Sequence, residues 1–85
     1  MSVPVATDIP GIVAWSRGFL AGLLDLPESD IEPDADFDRL GIDSALAVSL
    51  LVEIEERYGV DIAPEELFEN PTVLAVATHV HQRLP

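Results

Sequence analysis

Cysteine and lysine are both absent from this chain of 85 residues. Without cysteine there is neither a disulfide framework nor a thiolate metal site. Without lysine, all side-chain positive charge except that of histidine rests on four arginines, set against sixteen acidic residues for a formal net charge of −12. A surface this negative repels phosphate backbones and anionic lipid, which argues against nucleic acid and membrane as partners. Basic patches on other proteins suit it better, because opposite potentials speed and orient encounter. The first ten residues hold no arginine and no long apolar stretch, so no secretion signal is indicated. No apolar run nears the ~18 residues of a membrane span. These absences lead to the expectation of a soluble, cytoplasmic protein.

What is present fits a single domain. A chain of this length buries only about 60–65% of its unfolded surface. With 48% apolar residues it can build one modest core. A deep, enclosed active site is beyond it, so a small protein acting through its surface is expected rather than an independent enzyme.

Residues 1–7 show no period and read as a frayed tail, leaving 8–85 as the domain. Asp8 can cap a first helix with Pro10 in its opening turn. Ile12, Trp15, Phe19, Leu20, Leu23 and Leu24 then recur at spacings of three and four, with Trp15 as a core anchor. Gly18 and Gly22 weaken this helix and leave room for a neighbour. Pro27 ends the run. Residues 28–41 form a long acidic connection pinned by Ile31, Phe37 and Leu40; such a loop in a small domain is functional or firmly anchored.

A second helix runs from Ser44 to Tyr58 and stops at Gly59. Val60-Asp61-Ile62 is too short for a sheet. Pro64 opens a short helix through Phe68. Asn70 then caps a final helix with Pro71 at its first position and Val73, Leu74, Val76, Ala77 and Val80 as its apolar face, ending near Arg83. The fold is all-α: three main helices, a short third one, and a long loop between helices 1 and 2.

The stretch Leu40-Gly41-Ile42-Asp43-Ser44-Ala45-Leu46 carries the chemistry. On a helical wheel, Ala47, Leu50, Leu51, Ile54 and Tyr58 fall within one sector of about 100° and form the core stripe. The opposite face holds Ala45, Val48, Ser49, Val52, Glu55 and Glu56. It is apolar near Ser44 and acidic only in its last two turns. Val48 and Val52 read either as ordinary surface residues or as a docking strip with acids steering a basic partner. Ser44 also reads two ways. A serine at a helix start is commonly its cap, and Asp43 shares that role. With Asp43 as the cap, Ser44 is free for modification, at a helix end whose N–H groups and positive dipole suit a phosphodiester.

Gly41-Ile42-Asp43-Ser44 before an apolar-patterned helix resembles the phosphopantetheine attachment motif of acyl and peptidyl carrier proteins. The likeness extends to Leu26-Pro27, Ile31 and Phe37-Asp38-Arg39-Leu40 upstream. Downstream it includes Ile62, Leu67-Phe68 and Asn70-Pro71-Thr72-Val73. It covers roughly residues 12–84. The resemblance implies a right-turning four-helix carrier bundle. A phosphopantetheinyl transferase would place 4′-phosphopantetheine from coenzyme A on Ser44, and the arm's thiol would hold acyl groups as thioesters for partner enzymes. Asp43 would help position the transferase and its metal. Ala45, Val48 and Val52 would contact partners, with Glu55 and Glu56 as the steering acids.

Two departures refine this. Ala45 stands where the family commonly has leucine, and Ser49 where fatty-acid-synthase carriers and many polyketide carriers have glutamate; both depart from a housekeeping fatty-acid carrier. With Phe-Asp-Arg before the serine and Phe-Glu-Asn-Pro-Thr after it, the pattern looks more like polyketide-type carriers. The expected partners are an acyl-loading enzyme (an acyl-AMP ligase or acyltransferase) and a ketosynthase or other acyl-processing enzyme. The expected form is a discrete, monomeric carrier, with an excised domain of a megasynthase as the alternative. A peptidyl carrier loaded with an amino acid is the alternative, and an acidic helical interaction module capped by Ser44 is the non-carrier reading.

Other chemistry is poorly supported. Asp34, Asp36 and Asp38 alternate like calcium-loop ligands, but Arg39 replaces the required glycine and Ala45 the final glutamate. His79 and His81 are two apart and face different ways on a helix. A serine hydrolase would need glycines flanking Ser44, and Ala45 and Leu46 follow it instead.

Overall fold

The computed structural model describes residues 7–84. The expected tail at 1–7 therefore lies outside the described residues except for Thr7, whose carbonyl is 3.1 Å from His81 Nδ1.

Asp8 opens α1 (Ile9–Leu24) as expected: its carboxylate accepts the Gly11 N–H at 3.0 Å, and Pro10 sits in the first turn, where no intrahelical donor is lost. The helix stops before Pro27, at Asp25, which adopts a left-handed backbone (φ 57°) and donates its N–H to Ala21 O. Aspartate is one of the few non-glycine residues that tolerates this region. Pro27 instead precedes a 3₁₀ turn at Glu28–Asp30.

The acidic connection is more ordered than a plain loop. Besides the 3₁₀ turn it contains α2 (Phe37–Leu40). Arg17 of α1 holds it, with Nε donating to Ile31 O at 2.7 Å and Nη2 to Glu28 O at 2.8 Å. Ile31 and Phe37 are buried as expected, while Leu40 is half-buried. Two backbone bonds tie the connection to the far end of the chain, from Phe37 N to Pro71 O at 2.8 Å and from Leu74 N to Pro33 O at 2.9 Å.

The second long helix, α3 (Ser44–Tyr58), ends at Gly59, whose φ of 70° sets the left-handed cap. Then follow α4 (Pro64–Glu69) and α5 (Val73–Arg83). Asn70 and Pro71 do not start α5. Thr72 does, its hydroxyl accepting the Ala75 N–H at 3.1 Å, because the Pro71 carbonyl is engaged by Phe37. Glu66 caps α4 from inside by accepting the Ala63 N–H, and it pairs with Arg83 at the end of α5.

The core is drawn from every main element: Ile12 and Leu20 from α1, Leu50 and Ile54 from α3, Leu67 from α4, and Val73, Val76 and Val80 from α5. Each such side chain contributes about 1.5–3 kcal/mol through burial. The α3 stripe is the expected one, with Ala47, Leu50, Leu51 and Ile54 buried and Tyr58 half-buried. On α1 the expected face is corrected. The buried row is Ile12, Ser16 and Leu20, with Ala21 beside it, whereas Leu23 is 46% exposed. Trp15, expected as a core anchor, is half-buried and packs against the edge of the core. It stacks on Phe19 (centroids 5.6 Å apart), meets Tyr58 edge-on at 5.8 Å, and is covered by the Arg57 guanidinium at 5.1 Å. Gly18 does allow close approach, since a Cβ there would lie 2.8 Å from Glu28 Oε1, but the Gly22 face is open.

Candidate functional site

Gly41 ends α2 with φ 80°, and its N–H turns back onto the Asp38 and Phe37 carbonyls. That sharp turn needs a residue without Cβ strain. Ile42 follows, its side chain buried and its N–H bound to Phe37 O at 2.9 Å, which locks the loop just ahead of α3. Asp43 is the cap: its backbone is extended and Oδ1 accepts the Leu46 N–H at 2.9 Å, while its carbonyl accepts the Ala47 N–H at 3.0 Å.

Ser44 is consequently the first helical residue, and it is exposed. Its own N–H and that of Ala45 precede any intrahelical acceptor, so the positive end of α3 lies at the serine. Beside it is a hollow of about 170 Å³, lined by Phe37, Asp38, Ile42, Asp43, Ser44, Ala47, Phe68 and Pro71. An exposed primary hydroxyl, unspent helix N–H groups and an adjoining partly apolar hollow fit an esterified phosphate with an organic arm.

The expected docking residues share the outer face of α3. Ala45 is exposed, Val48 is 39% and Val52 49% exposed, and Glu55 and Glu56 face solvent. Ser49 turns its hydroxyl onto Ala45 O at 3.1 Å. Three further neighbours do not follow from the sequence pattern. Phe68, 50% exposed, reaches the Ser44 hollow from α4. Phe19 and Leu23 of α1 stand against Val48 and Val52. Their spacing on α1 holds the signal, but periodicity alone places them in the core. A separate open hollow of about 510 Å³, between Asp34 and α5 and lined in part by Leu74, Thr78 and His79, contains none of these residues.

The sequence profile of the phosphopantetheine attachment site family matches residues 17–80. The chain belongs to this family of carriers. Its cofactor is 4′-phosphopantetheine, held covalently. Among curated relatives, the carrier is 39% identical over 77 residues to the orsellinic acid synthase armB of Armillaria mellea, covering 89% of this chain and 3% of the synthase. It is 31% identical over 80 residues to polyketide synthase PksM of Bacillus subtilis, covering 94% of the chain and 2% of that protein. It is 30% identical over 84 residues to a phenolphthiocerol/phthiocerol polyketide synthase of Mycobacterium tuberculosis, covering 98% of the chain and 4% of that synthase. The carrier thus spans a small fraction of the length of these relatives.

Two solved structures share the fold. A free-standing peptidyl carrier protein from a secondary metabolic pathway of Acinetobacter baumannii superposes with a TM-score of 0.84 at 26% identity, covering 94% of this chain and 100% of that one. The HMG-ACPI domain of the CurA module from Lyngbya majuscula gives 0.81 at 27% identity, covering 99% of this chain and 87% of that one. Carrier domains of this family are generally non-catalytic themselves, and those in polyketide synthases work with acyl-processing enzymes. Among the described residues, no helix is long and apolar enough to cross a membrane.

Proposed function

We propose that this chain, from Asp8 onward, is an acyl carrier of polyketide or specialised lipid assembly, with Ser44 as the attachment residue. Ser44 Oγ is the nucleophile toward the pyrophosphate of coenzyme A. It loses its proton and displaces the nucleotide half while a phosphopantetheinyl transferase supplies the catalysis. The positive end of α3 favours the resulting phosphodiester. Asp43 fixes that end and presents a carboxylate to the transferase and its metal. Once bound, the arm supplies a thiol that holds the acyl group as a thioester. The carrier itself presents a face, Ala45, Val48 and Val52 with Glu55 and Glu56 beyond, to the loading enzyme, ketosynthase or other processing enzyme.

The observation that carries this reading is the division of labour between neighbours: Asp43 caps α3, and Ser44 is left exposed. Incubation with coenzyme A and a broad-specificity transferase is expected to add one phosphopantetheine unit per chain, read by intact mass, and none to Ser44→Ala. Folded wild-type protein that stays unmodified, or a Ser44→Ala variant modified equally, overturns the assignment.

A second reading, a peptidyl carrier, is supported by the likeness to the free-standing peptidyl carrier, with its TM-score of 0.84. The polyketide synthases among the relatives favour acyl cargo. Parallel loading of the primed protein by acyl-AMP ligases and amino-acid adenylating enzymes decides between the two, and preferential aminoacylation displaces the acyl reading.

A further inference from the structure

Resting on the carrier reading, we propose that the groove between α1 and α3 seats a basic helix of a partner enzyme with an apolar tip, so that docking extends from α3 onto α1. The groove has a volume of about 370 Å³ and is lined by Phe19, Leu23, Val48, Ser49, Val52 and Glu53. Leu23, Val48 and Val52 are exposed by 46%, 39% and 49%, so three large apolar side chains from two helices share one solvent-facing surface. The lining is mainly apolar, and the one hydroxyl in it, that of Ser49, already donates its proton to Ala45 O. Along the helix axis Val48 and Val52 lie about 6 and 12 Å from Ser44. A partner held there keeps its active site within reach of a flexible arm.

The charge around the groove selects its occupant. Glu53 is half-buried in the lining, where a carboxylate beside apolar walls interacts with a cation more strongly than in open water. Among the described residues no arginine lies within ion-pair distance of Glu53. Arg57, on the same helix, covers Trp15 and Tyr58; Arg17 binds the Ile31 and Glu28 carbonyls; and Arg83 pairs with Glu66. An arginine or lysine from outside would meet Glu53 while the apolar tip enters between Leu23 and Val52. A second copy of the chain is a poor occupant, because it would bring another formal charge of −12 to the same place. Anionic lipid fails for the same reason.

The test titrates the full ¹⁵N-labelled chain with a synthetic alanine-based helical peptide bearing two leucines four positions apart, flanked by arginines. Shift changes are expected at Phe19, Leu23, Val48, Val52 and Glu53. Binding should be about tenfold weaker for Leu23→Ser, several-fold weaker for Glu53→Gln, and unchanged for Leu74→Ser on α5. A peptide with glutamates in place of the arginines should not bind. Shifts centred on Leu74 or Phe68, equal binding of the acidic peptide, or no response overturns the proposal. So do concentration-dependent shifts of the same residues without peptide, which would mean that a second copy fills the groove. Transferase labelling of Ser44 is measured on the same sample. Absence of labelling counts against the carrier reading alone, and absence of groove binding in a labelled protein against this inference alone.

Discussion

The carboxylate of Asp43, rather than the hydroxyl of Ser44, receives the Leu46 N–H, at 2.9 Å. Two adjacent polar residues are thereby separable by stability. Asp43→Ala is expected to lower the unfolding free energy by about 0.5–2 kcal/mol, the usual cost of a lost N-cap, and Asp43→Asn to retain most of it. Ser44→Ala should stay within about 0.5 kcal/mol of wild type, as expected of an exposed residue outside the cap. Urea titration of the three variants checks this. Equal losses for the two alanine variants would show that Ser44 shares the cap.

Arg17 joins α1 to the acidic connection through two carbonyls, those of Ile31 and Glu28. Bonds of this charge-assisted kind contribute about 1.5–3 kcal/mol when they are lost without replacement. Arg17→Met should destabilise the protein by that order and speed hydrogen exchange at the Ile31 amide, which is bound to Glu28 O. Arg17→Lys should recover only part of the loss, because an ammonium cannot span two acceptors as a planar guanidinium does. Wild-type exchange at Ile31 in the methionine variant would mean that the apolar pins and the backbone bonds to Pro71 and Leu74 hold the connection without Arg17.

Those pins are legible in the order of residues itself. Ile31 and Phe37 are isolated apolar residues in an acidic run, and such residues have nowhere to go but the core. The α3 stripe is legible for the same reason: a periodic apolar face on a long helix must be covered. Asp43 can be named as one of two caps, though only the geometry chooses it over Ser44. Periodicity does not show which neighbour covers each row of α1. The Ile12–Ser16–Leu20 row faces the core and includes a serine, while Trp15, Phe19 and Leu23 form the next row, toward α3. Nor does it choose between Asn70 and Thr72, both competent caps. That choice is made by Phe37 and Pro33, distant residues whose backbone bonds fix Pro71 and Leu74.

The ion pair between α4 and α5 has a pH signature. The hydrogen bond from Arg83, with that from the Ala63 N–H, lowers the Glu66 pKa from 4.5 to about 2. A carboxylate whose pKa is lower in the folded state stabilises the fold above its unfolded pKa and loses that contribution as pH falls through the folded value. The stabilisation from Glu66 should therefore be complete above pH 4.5 and disappear progressively toward pH 2. Glu66→Gln should be less stable than wild type at pH 7, and the gap should close across that window. The urea midpoints of both proteins, measured from pH 7 to 2, provide the check. A gap independent of pH would assign the loss to packing instead of charge.

Repulsion acts over the whole surface and predicts the opposite response to salt from that of the one pair. Sixteen acids and four arginines leave a charge of −12, and Arg83–Glu66 is the only ion pair among the described residues. Raising sodium chloride from ~10 mM to ~1 M shortens the screening length from about 30 Å to about 3 Å. Screening weakens the single attraction at short range and the many repulsions at longer range. The repulsions are more numerous and lie farther apart, so they are screened more completely. The melting temperature should therefore rise with salt, most steeply at the dilute end, where the screening length still spans the domain. A melting temperature that is flat or falls would mean that local attraction already balances the acidic surface.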